Sequence, residues 1–436
     1  MSVKLFGNSR TPRRQKDVKK KAKAKTKTKT KRTALDRIVS IFLVLVTLEA
    51  LYCTAVFSNI PFISDLRTRY IATAWETMNH RWLATAFFPP AVVKAVTDQM
   101  AATQEAQIGV NSNWNQGTKQ DETQNEKPQT GEEPEEPENL LPEDQQAFFE
   151  LFSEIDFDSM QTYVKRHPEV VARGWDKISI NESDIASDGV DILTTQGDRV
   201  LALDVQNAVL LIRVTGTGYR GVLALAKDPS RVSIQVASSL GSYGEVAGDI
   251  AQEHDGILAM TASGFIDNGG SGNGGILAGY AMCDGVEYGR AHMGWSYKRA
   301  ELHKDDLLYI TDAQAEVDPD TTDAVEFMPA LIIDGEVLVD ETNFWNAINP
   351  RAVIGQNANH DIMMLVIEGR QYNSLGTGVV ECAAILHRYD CMQAMNMDVG
   401  SSAIMWYDGA YVTRCGNNAL PEGRPLPNAF VYKAAN

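Results

Sequence analysis

Residues Ile38 to Phe57 read IVSIFLVLVTLEALYCTAVF, twenty positions that are apolar apart from Ser40, Thr47, Glu49 and Thr54. At about 1.5 Å per residue, a helix of that length crosses a hydrocarbon core of about 30 Å. A single carboxylate in such a run is costly, and is tolerated when it is protonated or faces a partner. The run exceeds the apolar core of about 7–15 residues in a cleaved signal peptide, and no Ala-x-Ala site follows it. Tyr52 is also too bulky to precede a lipoprotein-type cleavage at Cys53. The expectation is an uncleaved single-pass anchor over residues 38–58.

Charge sets the orientation. The tail of residues 1–37 holds fifteen Lys and Arg against Asp17 and Asp36, whereas the remainder carries 25 basic and 55 acidic residues. A basic flank directly before a spanning segment stays cytoplasmic, so the acidic bulk of the chain is expected outside the membrane. The Lys-Ala-Lys-Thr pattern between Lys19 and Lys31 then reads as a topology signal with affinity for anionic membrane lipids. No aromatic or Gly-Arg interleaving supports nucleic acid as its partner.

Past the anchor, residues 59–103 form a juxtamembrane region of amphipathic character. Ala72, Trp75, Met78, Trp82 and Leu83 recur at helical spacing, and the Pro89-Pro90 pair stops the pattern. Residues 104–144 contain the stretch NQGTKQDETQNEKPQTGEEPEEPEN. It has no aliphatic side chain to bury, so a disordered acidic linker is expected there, standing the next domain clear of the membrane.

Residues 145–436 are expected to form one globular domain of α+β class, a mixed, hairpin-rich β-sheet domain with flanking helices. Strand signals cover Ala208 to Val214, Val222 to Ala226, Val232 to Ala237, Ile257 to Thr261 and Ile362 to Ile367. Asp284-Gly285, Asp334-Gly335 and Asp408-Gly409 each separate two such runs, the strongest local signal for a tight hairpin. Helical patterns cover Phe148 to His167 and Gly378 to Tyr389. Cys283, Cys382, Cys391 and Cys415 show no spacing that dictates a disulfide, and none is expected.

No His-Glu-x-x-His, paired cysteine ligands, phosphate-binding loop or Gly-x-Ser-x-Gly elbow occurs, so no metal and no cofactor is expected. The unusual material lies in three blocks: TASGFIDNGGSGNGGILAG from Thr261, PRAVIGQ from Pro350 leading into IMMLVIEGRQYNSLG, and AMNMDVGSSAIMWYDG from Ala394. In this order and spacing they resemble the phosphodiester glycosidase family, whose bacterial members include exopolysaccharide-related proteins. Pro350, Arg351, Ile354, Gly355, Gly369, Arg370, Gln371, Ser374, Gly376, Glu381, Asn396, Asp398, Gly400 and Ser402 match the family pattern. Among the departures, Glu368 stands in for an Asp before Gly369-Arg370. Ala262 stands where the family has the Asn of Asn-Gly-Gly-Phe-Phe, and Val399 where it has the first Gly of a turn. Val399 does not take positive φ without strain, so that turn must differ.

The resemblance implies cleavage of a sugar-1-phosphodiester glycan. The oxocarbenium-like transition state needs a carboxylate, and the leaving phosphate needs Arg or backbone N–H donors. Asp398 suits the first role, with Glu381 or Asp267 as acid/base groups. Arg351, Arg370, Gln356, Gly400, Ser401 and Ser402 are the expected substrate-binding positions. Structural alternatives stand beside these: Asp398 as a turn cap, Arg351 as an ion-pair partner of Glu381, Arg370 as a solvated turn residue. The loop from Gly269 to Gly275 wraps substrate, acts as a lid or is a plain surface loop. Trp295, Tyr297, Trp345 and Trp406 stack on sugar or fill the core. Two functions follow: a membrane-anchored extracytoplasmic hydrolase of a wall or surface polysaccharide, or a non-catalytic glycan-binding or assembly protein of the same fold.

Overall fold

The computed structural model describes residues 33–76, 81–114, 141–267, 271–289, 291–340 and 346–435. The chain divides into two units, residues 1–58 and 59–436. In the first, Ala34–Phe57 is a helix opened by a capping box between Thr33 and Asp36. Its most apolar 18 residues have a mean hydropathy of 2.2 and, among the described residues, it is the one helix long and apolar enough to cross a membrane. The Lys-rich tail lies outside the described residues.

The second unit starts with three helices, Pro61–Glu76, Arg81–Phe87 and Pro90–Glu105. Ile71, Ala74, Ala84, Val93, Val96 and Met100 bury one another between them. The proline pair stops the helix Arg81–Phe87, and Pro90 then opens the third helix, where its missing N–H costs nothing.

The chain from Gln104 to Trp114 is not a free tether. Gln107 donates through Nε2 to the Ala330 carbonyl (2.9 Å) and accepts the Ala330 N–H (3.1 Å), imitating a strand partner. The Ser112 N–H donates to the Ile310 carbonyl at 2.9 Å. Lys298 reaches the Val110 carbonyl, Asp312 accepts the Gly109 N–H, and the Trp114 indole donates to the Leu308 carbonyl. Segment 107–114 is therefore a strap bonded along the domain. Composition pointed to disorder because the polar groups of this stretch find their partners about 200 residues away. The acidic stretch 115–140 lies outside the described residues.

Three antiparallel sheets build the domain, as counted among the described residues. The largest runs Ser179–Asn181, Arg199–Asp204, Val209–Gly216, Tyr219–Ala226, Ile362–Ile367, Arg351–Asn357, Cys391–Asn396, Ala330–Ile333, Glu336–Val337. Its central strand Ile362–Ile367 is apolar at every position because both faces are covered. Ile362, Met364 and Val366 pack with residues of the two smaller sheets, while Met363, Leu365 and Ile367 pack under the helices, among them Val379–His387. The two smaller sheets have five strands each. One contains Lys298–His303, Leu308–Asp312 and Thr321–Phe327, and the other contains Gly256–Thr261, Met405–Tyr407 and Asn428–Lys433.

All three Asp-Gly pairs sit at hairpin turns, with φ of 48, 51 and 46° at the aspartates and 75, 81 and 86° at the glycines, as a type I′ turn requires. The expected helix from Phe148 to His167 is two helices, Glu143–Leu151 and Phe157–Arg166. The break falls where Asp156 turns its carboxylate to the Ser159 N–H and caps the second. The class is α+β. Cys283, Cys382, Cys391 and Cys415 are buried thiols.

Candidate active site

The end of strand Cys391–Asn396 and the end of strand Gly256–Thr261 meet where the Asp398 N–H donates to the Ala262 carbonyl (3.2 Å). The small-residue turn follows at once. Val399 stays extended at φ −116°, and Gly400 takes the positive φ of 73°. The Val399 side chain is thus accommodated without strain, the left-handed position falling on Gly400. Gly400, Ser401 and Ser402 form a short 3-10 turn, and Ser402 hydrogen-bonds the Asp398 carboxylate.

Burial pushes the Asp398 carboxyl up to about 6. The bonds from Ser402 and from the Val399 N–H (3.0 Å), together with the field of Arg424, oppose that rise, and the Asp267 carboxylate adds to it. Desolvation wins because none of these partners is a cation in direct contact with the group.

Two guanidiniums lie in this region, Arg370 against the small-residue turn and Arg424 acting on the Asp398 carboxylate through its field. Arg370 lies against the turn, so close that a Cβ on Gly400 would stand 3.2 Å from its Nη2. Its own backbone is left-handed, φ 59°, held by its N–H to the Leu375 carbonyl and by the paired Gln371 and Ser374. Beneath, Glu368 is completely buried and meets the Arg414 N–H at 3.3 Å. Arg424, the second guanidinium, donates to Asp267 at 2.6 Å and to the Gly272 carbonyl at 2.9 Å, and lies 4.6 Å over the Phe265 ring. Sequence reasoning missed Arg424, which sits between Gly423 and Pro425 outside every matched block.

The remaining expected residues go elsewhere. Arg351 is completely buried and donates to the carbonyls of Thr377 and Ala347. That placement supports the loop before its strand rather than a phosphate fork. Gln356 is also completely buried, at the other end of the same strand, and binds the Leu308 N–H and the carbonyls of Asp306 and His360. It is a joint between two sheets. Glu381 accepts the Tyr219 hydroxyl at 2.7 Å, not Arg351. Trp406 is core, Trp295 is exposed, and Trp345 lies outside the described residues. The glycine-rich loop is pinned where it is described. The Gly241 and Gly244 N–H groups bond Gly275 and Asn273, and a Cβ at Gly274 would stand 2.2 Å from the Pro425 oxygen. A cavity of 840 Å³ lined by Glu301, His303, Tyr309 and Asp320, among others, shares no residue with the Asp398 cluster.

Residues 255–433 match the phosphodiester glycosidase family. The match lies within the C-terminal domain and agrees with the resemblance that the ordered motifs carry. Among solved structures, the chain is similar to the zebrafish N-acetylglucosamine-1-phosphodiester alpha-N-acetylglucosaminidase catalytic domain, auto-inhibited by its pro-peptide. Identity there is 16%, the TM-score 0.42, and the match covers 52% of this chain and 82% of that one. A hypothetical protein from Synechocystis matches at 11% identity and TM-score 0.38, over 54% of this chain and 63% of its own. A putative exported protein from Burkholderia pseudomallei matches at 13% and 0.37, over 49% and 74%. Comparison with curated proteins gives no match.

Proposed function

We propose that this chain is a membrane-anchored glycosidase that hydrolyses sugar-1-phosphodiester linkages of a cell-surface or wall polysaccharide. Its N-terminus lies in the cytoplasm against anionic lipid, and its domain lies outside. The observation that carries the reading is the Asp398 carboxyl, pushed up to about 6 at the head of the turn against which Arg370 lies, with the Arg424–Asp267 pair acting on it through their charges. At neutral pH such a group is mostly ionised, and in a desolvated site its charge is available to an oxocarbenium-like transition state rather than spent on a cation. Asp267 is the second carboxylate of the cluster and takes the acid/base role. Arg370, with the backbone of Gly400, Ser401 and Ser402, receives the phosphate, whose charge lets it leave with little protonation.

The test is turnover of chromogenic sugar-1-phosphodiesters by the full chain in detergent micelles. Release of free sugar and a phosphomonoester by the wild type, lost in Asp398→Asn, supports the reading. Ala262, with no side-chain amide to offer, favours the second reading, a glycan-binding or assembly protein that keeps the fold. Tight binding across the whole panel with no hydrolysis would establish that one instead.

A further inference from the structure

The glycine-rich segment deepens the glycosidase reading and rests on it. Its stem is a narrow hairpin in which Phe265 and Leu277 bridge and the Ile266 N–H donates to the Ile276 carbonyl (2.8 Å). At the tip, Asp267 accepts the Gly272 N–H through Oδ1 at 2.7 Å and faces Arg424 through Oδ2. Arg424 spans the same turn, because its other terminal nitrogen donates to the Gly272 carbonyl. One guanidinium and one carboxylate thus close the loop from both sides, and both are nearly out of water, at 14% and 6% side-chain exposure. The face of Arg424 is covered by Phe265, so the planar group has a fixed orientation. A guanidinium carries five N–H donors, and among the described residues the loop engages two of its nitrogens.

We propose that Arg424 is the positioning residue of this site. It locks Asp267 and the glycine-rich turn beside Asp398 and presents its outward N–H edge to an anionic oxygen of the sugar phosphodiester. A guanidinium suits both tasks at once because its donors form a rigid fork, which an ammonium does not offer. The ion pair also fastens Gly272 to the rest of the domain. The glycines allow close backbone approach to residues 241–244 and 425–426, and Arg424 adds a charged bond to the one that Asn273 Nδ2 donates to the Ser242 carbonyl at 3.0 Å.

Arg424 also acts on Asp398 through its field, with Asp267 opposing it, Arg370 against the adjoining Gly400, and Cys415 donating to the Ser401 carbonyl. Removing the cation therefore raises the pH at which Asp398 ionises, a change that loss of loop packing alone does not produce.

The experiment uses the full chain in detergent micelles and a hexose 1-phosphate as probe. Hydrogen exchange is followed over residues 271–278, and binding by calorimetry from pH 5 to pH 8. Arg424→Gln should weaken probe binding by about tenfold or more, as loss of a charged hydrogen bond of about 1.5–3 kcal/mol requires. It should also speed exchange in the loop and move the Asp398-linked pH step upward. Arg424→Lys should keep the pH step near its wild-type position while the loop still exchanges faster. Unchanged binding and exchange in a folded Arg424→Gln protein would overturn the assignment, as would a wild type that does not bind the probe. A wild type that binds the probe, loses it in Arg424→Gln, yet hydrolyses no phosphodiester would leave Arg424 in place and remove the glycosidase reading.

Discussion

Glu301 and Asp398 are both desolvated carboxylates with an arginine nearby, and the fold treats them in opposite ways. Glu301 is completely buried, as is Arg299, whose Nε donates to it at 2.8 Å. Burial alone would raise its pKa, but His303, Arg299, Thr311 and Thr321 hold it down to about 2. Asp398 receives only Ser402 and a backbone N–H, its nearest cation being engaged with Asp267, and it rises to about 6. A carboxylate with every lone pair answered is a structural joint; one left short of partners keeps its charge for chemistry.

The sharpest way to break this contrast is Arg299→Met. It leaves Glu301 buried without its cation and should cost about 3–5 kcal/mol in urea unfolding. Glu301 is depressed below its unfolded value, so its contribution is present at neutral pH and is lost as pH falls from about 4.5 towards 2. A loss below 1 kcal/mol would show that its neutral partners suffice.

The strap gives the next effect. Gln107→Ala leaves the N–H and C=O of buried Ala330 unanswered, at about 1–3 kcal/mol for each group. A protein beginning at Pro142 should accordingly melt several degrees below one beginning at Pro90, by calorimetry at equal pH. Equal melting would return the segment to the role of a tether.

Smaller, and opposite in sign, is Asp398→Asn. Because the folded group is raised above its unfolded value, its protonated form stabilises the fold below about pH 4, and that share is lost as pH rises through about 6. The neutral amide escapes the loss. Relative to wild type, the variant should gain on the order of 2 kcal/mol between pH 4 and pH 8 while turnover is abolished. Equal stability at both ends would mean that Asp398 is solvated.

Glu381→Gln should do least. An amide oxygen still accepts from the Tyr219 hydroxyl, so the change should stay within about 1 kcal/mol, with turnover unaltered. A large loss of turnover would restore Glu381 to the acid/base role.

What the sequence determined by itself was local or ordered along the chain. The Asp-Gly hairpins follow from residues able to adopt positive φ at adjacent positions. The strand Ile362–Ile367 was legible from its apolar run alone, and helix Val379–His387 from a pattern one turn longer. The motif order carried the family, and Asp398 was singled out by its place in a small-residue turn. Partners distant in sequence were decided only by the tertiary structure. Arg351 and Gln356 share one strand and one motif, yet packing buries them at opposite ends with carbonyls to satisfy. Gln107 finds Ala330 across 223 residues, and Arg424 finds Asp267 across 157. A side chain's type is written locally, but whether its charge is answered depends on which backbone arrives beside it when the sheets stack.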